Sequence, residues 1–479
     1  MEWATCQDCS PGPKLSSPNR FASHCLLTTD HSPIYMLIPA RIVILFFGII
    51  FLTSCSVSRH IQQLADKNLF NDSVLSDAHT GISVFDAEAN KFIYDFQADK
   101  YFVPASNTKI ISLYAGMKYL KDSLIGLRYR ETRDTLFIAP SGDPTFLHPD
   151  FSSQPVFDFL KKQSSPIAIT TNKWKASALG EGWMWDDFND AYMTERSAFP
   201  VYGNVIRWLQ VRDSGSIAAM AREEAFIFSE PDINWKVNFS GDTAAQVFSV
   251  QRSLTENKFF ITQGREINAE RKVPFITNGL QSALELLRDS LGKNIDSSAT
   301  IIQTDGIVHS QPSDSLFKIM MHGSDNFFAE QTLLMAANEK LGVMDDRQMI
   351  AYLLNNDLIG FPHTPRWADG SGLSRYNLFT PQDFVWILHK MKNEFGMERL
   401  KAIFPTGGAG TLSNYYKTDS AFIYAKTGTM SGVLTLSGYL YTKAGKLLIF
   451  SVLVNNHRQP AWMIRRKIES FLHELRITY

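Results

Sequence analysis

The segment Pro104-Ala105-Ser106-Asn107-Thr108-Lys109 leads into apolar residues at helix-like spacing from Ile110 to Leu120. Ser106 and Lys109 are three residues apart, so on a helix their side chains are neighbours on one face. A serine hydroxyl is a weak nucleophile and needs a base within hydrogen-bond reach. Lys109 can be that base if burial and a second cation, such as Lys426, lower its pKa. The stretch predicts a nucleophilic serine at a helix start, where backbone N–H groups and the helix dipole stabilise an oxyanion.

Two further short motifs follow in chain order, Ser324-Asp325-Asn326 and Lys426-Thr427-Gly428. The surrounding pattern predicts that the second motif starts a helix and that the third ends a strand. Ser-x-x-Lys alone is weak evidence, because it recurs at Ser315-Leu316-Phe317-Lys318. That copy lacks a preceding Pro-Ala and follows Asp314 directly, so we interpret it as an ordinary turn of an amphipathic helix. The order and contexts of the three motifs together indicate one active site.

Strand and helix patterns at the two ends of the chain predict one shared antiparallel sheet covered by helices. The predicted strands and the closing helix lie at residues 82–85, 92–94, 422–424, 433–441, 447–454 and 461–475. Between the ends, short strand-like runs such as 135–139 and 244–250 dominate from about 127 to 302, and helical patterns run from 326 to 391. The sequence therefore predicts an α+β domain interrupted by a β-rich insertion.

Composition excludes several function classes. The 479 residues contain 47 basic and 48 acidic side chains, so no overall field would recruit nucleic acid. The 11 histidines form no His-Glu-x-x-His motif, and Cys6-x-x-Cys9 has no second pair, so we predict no metal and no cofactor. Asp186-Asp187 could form a paired-carboxylate site, but Asp-Asp before an aromatic residue more often caps or turns the chain.

The N-terminal region predicts targeting. Ile42 to Leu52 is an apolar run of the length of a signal-peptide core, too short to span a bilayer as a helix. It ends in Leu52-Thr53-Ser54-Cys55, which resembles a bacterial lipobox with Cys55 as the lipidated residue. We therefore assign residues 36–54 to a lipoprotein signal peptide and 1–35 to an upstream extension. An ordinary secretory cleavage or an uncleaved anchor remains the alternative.

Three more stretches make a family resemblance specific. They are Ser141-Gly142-Asp143-Pro144-Thr145, Gly182-Trp183-Met184-Trp185-Asp186-Asp187, and Asp369-Gly370-Ser371-Gly372-Leu373-Ser374-Arg375 with Thr380-Pro381. With the three motifs, they resemble the class C low-molecular-mass penicillin-binding proteins, the D-Ala-D-Ala carboxypeptidase/endopeptidase family. The resemblance implies a penicillin-recognising serine transpeptidase/β-lactamase-like domain, with an antiparallel sheet, helices on both faces and an all-α subdomain. Residues 56–125 and 305–479 would form it, and 126–304 would be the β-rich inserted region.

The resemblance also implies roles for individual residues. Ser106 would be the acylated nucleophile, Lys109 its base, Ser324 the proton relay to the leaving amine, and Asn326 the group that holds the substrate backbone. Lys426 and Thr427 would bind the terminal carboxylate, and the N–H groups of Ser106 and Thr429 would form the oxyanion hole. Gly428, Arg375 and Met430 would line the substrate pocket.

The implied function is a D-Ala-D-Ala carboxypeptidase, with endopeptidase activity, that acts on peptidoglycan peptides and is acylated by β-lactam antibiotics. The lipobox implies a lipoprotein held at a membrane of the bacterial cell envelope and facing the periplasm. A serine β-lactamase and a catalytically inactive wall-binding lipoprotein are the alternatives. One departure matters, because Ile169-Thr170-Thr171-Asn172-Lys173-Trp174 lacks the aspartate that family members often carry to read a diaminoacid side chain. Oligomeric state does not follow from the sequence.

Overall fold

The computed structural model describes residues 58–71, 73–212, 225–242 and 244–479. All four cysteines, among them Cys55, lie outside these residues, and so does the predicted signal peptide. Among the helices that are described, none is both long and apolar enough to cross a bilayer.

One five-stranded antiparallel sheet joins the two ends of the chain, as the strand patterns predict. Its strands, in spatial order, are β14 (Ile423–Met430), β15 (Val433–Tyr441), β16 (Leu447–Asn455), β1 (His79–Asp86) and β2 (Lys91–Phe96). The link between the two ends is the pairing of β1 with β16, from His79 opposite Asn455 to Asp86 opposite Leu448. Strand β14 therefore lies at one edge of the sheet.

Helices cover both faces of this sheet, which explains why β15 and β16 are apolar almost throughout. The C-terminal helix α9 (Ala461–Thr478) packs on one face through residues that recur every three or four positions, among them Ile464, Ile468 and Phe471. The opposite face is covered by helices of the all-α part, whose buried residues form a second core cluster. These helices are α1 (Lys109–Tyr119), α4 (Ser313–Gly323), α5 (Asn326–Leu341), α6 (Asp346–Asn355), α7 (Pro381–Phe395) and α8 (Met397–Ile403).

The region between the first and second motifs is built mainly from strands and has a core cluster of its own. Its strands are β3 (Ser123–Glu131), β4 (Leu136–Pro140), β5 (Ile167–Ile169), β6 (Val205–Val211), β7 (Phe226–Glu230), β8 (Lys236–Phe239), β9 (Ser249–Arg252), β10 (Lys258–Thr262), β11 (Asn268–Pro274), β12 (Ile295–Ser297) and β13 (Gly306–Pro312). One sheet has the order β12-β5-β4-β3-β13, and two three-stranded sheets have the orders β8-β10-β9 and β11-β6-β7. Two helices, α2 (Pro155–Lys162) and α3 (Gln281–Leu291), accompany them. Because β3 pairs with β13, the chain enters and leaves this region side by side.

Two predicted elements differ from the structure. The strand expected at 244–250 begins only at Ser249, in β9. Lys426-Thr427-Gly428 lies inside β14 and does not end it, because pairing with β15 continues to Met430 opposite Val433 before the hairpin turns. The motif is therefore held along its whole length by ladder hydrogen bonds.

Candidate active site

The first motif forms a 3-10 turn at Ala105–Thr108, which runs directly into α1. The turn presents Ser106 beside the helix, and the Lys109 ammonium lies 3.0 Å from the Ser106 hydroxyl oxygen. The structure thus places the two side chains as neighbours, as their spacing predicts. Ala105 has a left-handed backbone (φ 46°), so the turn is sharp just ahead of the serine.

Lys109 is fully buried, and three acceptors surround its ammonium. It donates to the side-chain oxygen of Asn326 at 2.5 Å and to the carbonyl of Ser371 at 2.7 Å, in addition to the contact with Ser106. Burial lowers the pKa of Lys109 to about 8, against the opposing effect of the nearby carboxylates Asp369, Asp325 and Glu330. A lysine with this pKa is neutral for part of the time near neutral pH, which a general base requires.

The second motif joins two helices. Ser324 ends α4 in a left-handed conformation (φ 57°), and Asp325 caps α5 by accepting a hydrogen bond from the Phe328 N–H at 2.8 Å. Asn326, the first residue of α5, contacts Lys109 through its oxygen and donates to the Tyr192 carbonyl at 2.9 Å. The sharp connection therefore directs Ser324 and Asn326 toward the first motif.

The third motif approaches the other two from strand β14. The Lys426 ammonium, fully buried, donates to the Ser324 hydroxyl at 2.8 Å and to the Thr427 carbonyl at 2.8 Å. Burial and the neighbouring Lys109 hold the pKa of Lys426 well below its usual value. Burial is the largest cause of the lowered pKa for both ammonium groups.

Gly428 lets the strand pass close to the nucleophile turn. A Cβ at this position would lie 2.9 Å from both the Ser106 nitrogen and the Pro104 carbonyl oxygen. Any larger residue would push β14 away from Ser106. This contact is what brings the backbone of the strand next to the N–H of Ser106.

The two remaining predicted pocket residues, Arg375 and Met430, lie near the end of β14. Arg375 donates to the Ser431 carbonyl at 3.0 Å, and half-buried Met430 is the residue just before Ser431. The structure therefore brings the predicted catalytic and substrate-binding residues to one region, and Cys55, the predicted lipidation residue, lies outside the described residues. Their individual roles stay predictions.

The loop from Asp369 to Asn377 packs against the first motif. Asp369 accepts hydrogen bonds from the backbone of Gly372 and Ser374 and from the side chains of Asn377 and Trp183. Gly372 has φ 85°, and a Cβ there would lie 1.9 Å from the Ala105 carbonyl oxygen. The sequence marked this loop only through its family resemblance, and its contact with Lys109 through Ser371 was not predicted.

A buried ionic network lies behind this loop and was also missed. Glu330 accepts from the Ser371 N–H at 2.7 Å and pairs with Arg196, which reaches in from the inserted region and also binds Asp346 at 2.8 Å. Burial and Asp369 raise the pKa of Glu330 to about 7, although Arg196 opposes them. No short motif contains Arg196 and its partners, so the sequence carried no signal for them.

Three further features that the sequence singled out make no hydrogen bond to the three motifs among the described residues. Ser315 lies within α4, and Lys318 of the second Ser-x-x-Lys is exposed. Asp186-Asp187 occupies a 3-10 turn. Thr170, in the stretch that lacks the expected aspartate, is 2 % exposed in the inserted region. Within the described ranges, no cluster of three or more His, Cys, Asp or Glu side chains could hold a metal.

The comparisons with known proteins agree with this geometry. Residues 62–475 match the D-Ala-D-Ala carboxypeptidase 3 (S13) family. A D-alanyl-D-alanine carboxypeptidase from an Actinomadura species is 24% identical over 445 residues, which are 82% of this chain and 80% of the relative. The D-alanyl-D-alanine carboxypeptidase DacB of Haemophilus influenzae is 21% identical over 84% of this chain and 91% of the relative.

A solved structure extends the agreement to the fold. The crystal structure of penicillin binding protein 4 (dacB) from Haemophilus influenzae superposes with a TM-score of 0.67 at 20% identity, over 87% of this chain and 98% of that one. The family match, which covers nearly the whole described chain, confirms the resemblance, the α+β penicillin-recognising fold and the serine carboxypeptidase class that the sequence predicted. The chain therefore belongs to the D-Ala-D-Ala carboxypeptidase 3 (S13) family.

Proposed function

We propose that the chain hydrolyses the D-Ala-D-Ala bond of peptidoglycan peptides through an ester formed on Ser106. The observation that carries the assignment is the buried Lys109 ammonium, 3.0 Å from the Ser106 hydroxyl and with a pKa of about 8. A neutral Lys109 takes the hydroxyl proton as the Ser106 oxygen attacks the penultimate D-Ala carbonyl carbon. The N–H groups of Ser106 and Thr429 are assigned to the oxyanion of the tetrahedral intermediate.

The contact between Lys426 and Ser324 supports the next step. Collapse of the intermediate breaks the C–N bond, and the leaving D-Ala nitrogen needs a proton. We assign its delivery to the Ser324 hydroxyl, which receives a hydrogen bond from Lys426 and can take its proton back from that ammonium. Water then attacks the Ser106 ester and passes one of its protons through the Ser324 hydroxyl to the neutral Lys426 amine. The C–O bond to Ser106 breaks, Ser106 takes back the proton that Lys109 holds, and the shortened peptide leaves as the acid. Asn326, which already contacts Lys109, is assigned to hold the substrate backbone.

The same site suits two related reactions. In an endopeptidase reaction, the leaving group is the amine of a diaminoacid whose D-centre carries a carboxylate, so it resembles the terminal D-Ala. A β-lactam acylates the same serine, and the Haemophilus influenzae relative was solved in complex with a β-lactam at 19% identity and a TM-score of 0.63. We propose both reactions for this chain, with Thr427 and Thr429 near the substrate carboxylate.

We also propose that the mature protein is a lipoprotein facing the periplasm, anchored through Cys55. The support is the apolar run from Ile42 to Leu52 and the lipobox-like ending at Cys55.

Stable acylation, rather than β-lactam turnover, is expected from the environment of Lys109. In class A β-lactamases, a glutamate activates the water that attacks the ester. The three carboxylates that act on Lys109 are already engaged: Asp325 caps α5, Asp369 binds its own loop, and Glu330 binds Ser371 and Arg196. This engagement favours the carboxypeptidase over the β-lactamase alternative.

The test is covalent labelling by a fluorescent penicillin combined with D-alanine release from an acyl-D-Ala-D-Ala peptide. We expect both activities in the unaltered protein, and neither in Ser106→Ala. Ser315→Ala is the matched control, because it removes the serine of the other Ser-x-x-Lys, and it should behave like the unaltered protein. Labelling that survives in Ser106→Ala would refute the nucleophile. Rapid penicillin turnover would indicate a β-lactamase, and absence of both activities an inactive wall-binding protein.

A further inference from the structure

Lys426 is poorly placed to supply positive charge to the substrate carboxylate. Its ammonium is fully buried and already donates to the Ser324 hydroxyl and the Thr427 carbonyl. Burial and Lys109 also hold the pKa of Lys426 well below its usual value. Lys426 is therefore better suited to the proton relay than to attracting an anion from solvent.

The side chains of β14 divide between the two faces of the sheet. Gly428 faces the nucleophile turn, as its close approach to the Ser106 nitrogen shows, and Lys426 lies on the same face two residues earlier. Thr427 and Thr429 point to the other face, toward α9. Because β14 is the edge strand, a carboxylate held by these two hydroxyls would lie at the sheet edge on the α9 side.

Arg465 places a positive charge at this edge of the sheet, on the α9 side. Arg465, one turn into α9, donates from its guanidinium to the Thr429 hydroxyl at 2.7 Å, and it lines the same small cleft as Thr427. Within the part of the chain that the structure describes, no carboxylate lies in ion-pair distance of Arg465, whereas its neighbour Arg466 pairs with Glu469 at 2.6 Å. The Arg465 guanidinium is half-exposed and lies 5.5 Å from the ring centroid of Tyr415.

The chemistry of this group fits a carboxylate. A guanidinium stays charged throughout the working pH range and presents N–H donors in a planar fork that matches two carboxylate oxygens. Among the described residues, Arg465 makes one hydrogen bond, to Thr429, and its other N–H groups have no partner there. The Thr429 hydroxyl, held as an acceptor, can point its own proton toward the anion. Arg375, another arginine beside this strand, binds the Ser431 carbonyl beyond the end of β14.

We infer that Arg465 binds the C-terminal carboxylate of the substrate together with the hydroxyls of Thr429 and Thr427, and so selects free acids over neutral ends. This inference rests on the proposed function, because it assigns a specificity-determining residue to the D-Ala-D-Ala site. It leaves Lys426 in the proton relay with Ser324. The same guanidinium would receive the carboxylate of a penicillin.

The experiment compares Arg465→Ala, Arg465→Lys and Arg466→Ala on an acyl-D-Ala-D-Ala peptide and on its C-terminal amide. For Arg465→Ala we expect kcat/KM on the free acid to fall about ten- to a hundredfold, with little change on the amide. Arg465→Lys should restore part of the loss, because it keeps the charge without the fork. Arg466→Ala, which removes a neighbouring cation of the same helix, should leave both substrates unchanged. Equal losses on acid and amide, or no loss beyond that of Arg466→Ala, would overturn the inference.

A second pair of ligands separates this inference from the proposed function. Acylation of Ser106 by benzylpenicillin and by its methyl ester is followed in the same variants. Arg465→Ala should slow acylation by the acid and leave the ester nearly unchanged. If the unaltered protein is acylated but releases no D-alanine, the proposed function fails and the penicillin pair still decides the role of Arg465. Equal effects on acid and ester would overturn the inference even if the carboxypeptidase activity is present.

Discussion

The pH dependence of acylation should report the ionisation of Lys109. Its ammonium must lose a proton before it can accept one from Ser106, so the rate rises with pH through the pKa of Lys109. With a pKa of about 8, roughly one-tenth of the enzyme is active at pH 7 and roughly nine-tenths at pH 9. We therefore expect the second-order rate constant of acylation to increase about tenfold over this interval and then to level off.

The assay is the time course of labelling by a fluorescent penicillin between pH 6 and 10, corrected at each pH for spontaneous β-lactam hydrolysis. Lys109→Arg tests the same point independently, because a guanidinium cannot deprotonate in this range and should leave only background labelling. Ser315→Ala should reproduce the profile of the unaltered protein. A rate that is flat from pH 7 to 9, or a Lys109→Arg variant that retains the profile, would refute Lys109 as the base.

Three further outcomes follow from other parts of the chain. Arg196→Ala leaves two buried carboxylates without their cation, so urea titration should show a loss of about 3–5 kcal/mol in the free energy of unfolding. A loss under about 1 kcal/mol would show that this network does not stabilise the fold as argued. Gly372→Ala should lower the melting temperature more than Gly445→Ala and should also slow acylation, because both glycines have φ 85° but only the first would press a Cβ against a backbone oxygen; equal shifts with normal acylation would contradict this contact. Intact-mass analysis of membrane-extracted protein should find lipidated Cys55 at the N-terminus, and a mature chain starting well downstream would refute the lipobox.

The catalytic groups of the site and the sheet that carries them were predictable from the sequence alone. Ser106 and Lys109 are close because they are three positions apart on a helical turn, which is a local property of the chain. Strands β1, β15 and β16 were predictable because apolar and β-branched residues run through them between turn signals. The order of the three motifs, with the stretch from Asp369 to Arg375, was specific enough to identify the family.

The electrostatics of the site, and its contacts with residues outside the three motifs, depend on the tertiary structure. The pKa values of Lys109 and Lys426 depend on desolvation, which sums the effect of every segment packed around an ammonium and has no local sequence pattern. Arg196 and Arg465 reach Glu330 and Thr429 from distant parts of the chain, one from the inserted region and one from the last helix. Such pairs become neighbours only when the sheet, the helices and the insertion are assembled. The reacting groups could therefore be predicted from the sequence, whereas the charges that surround them could not.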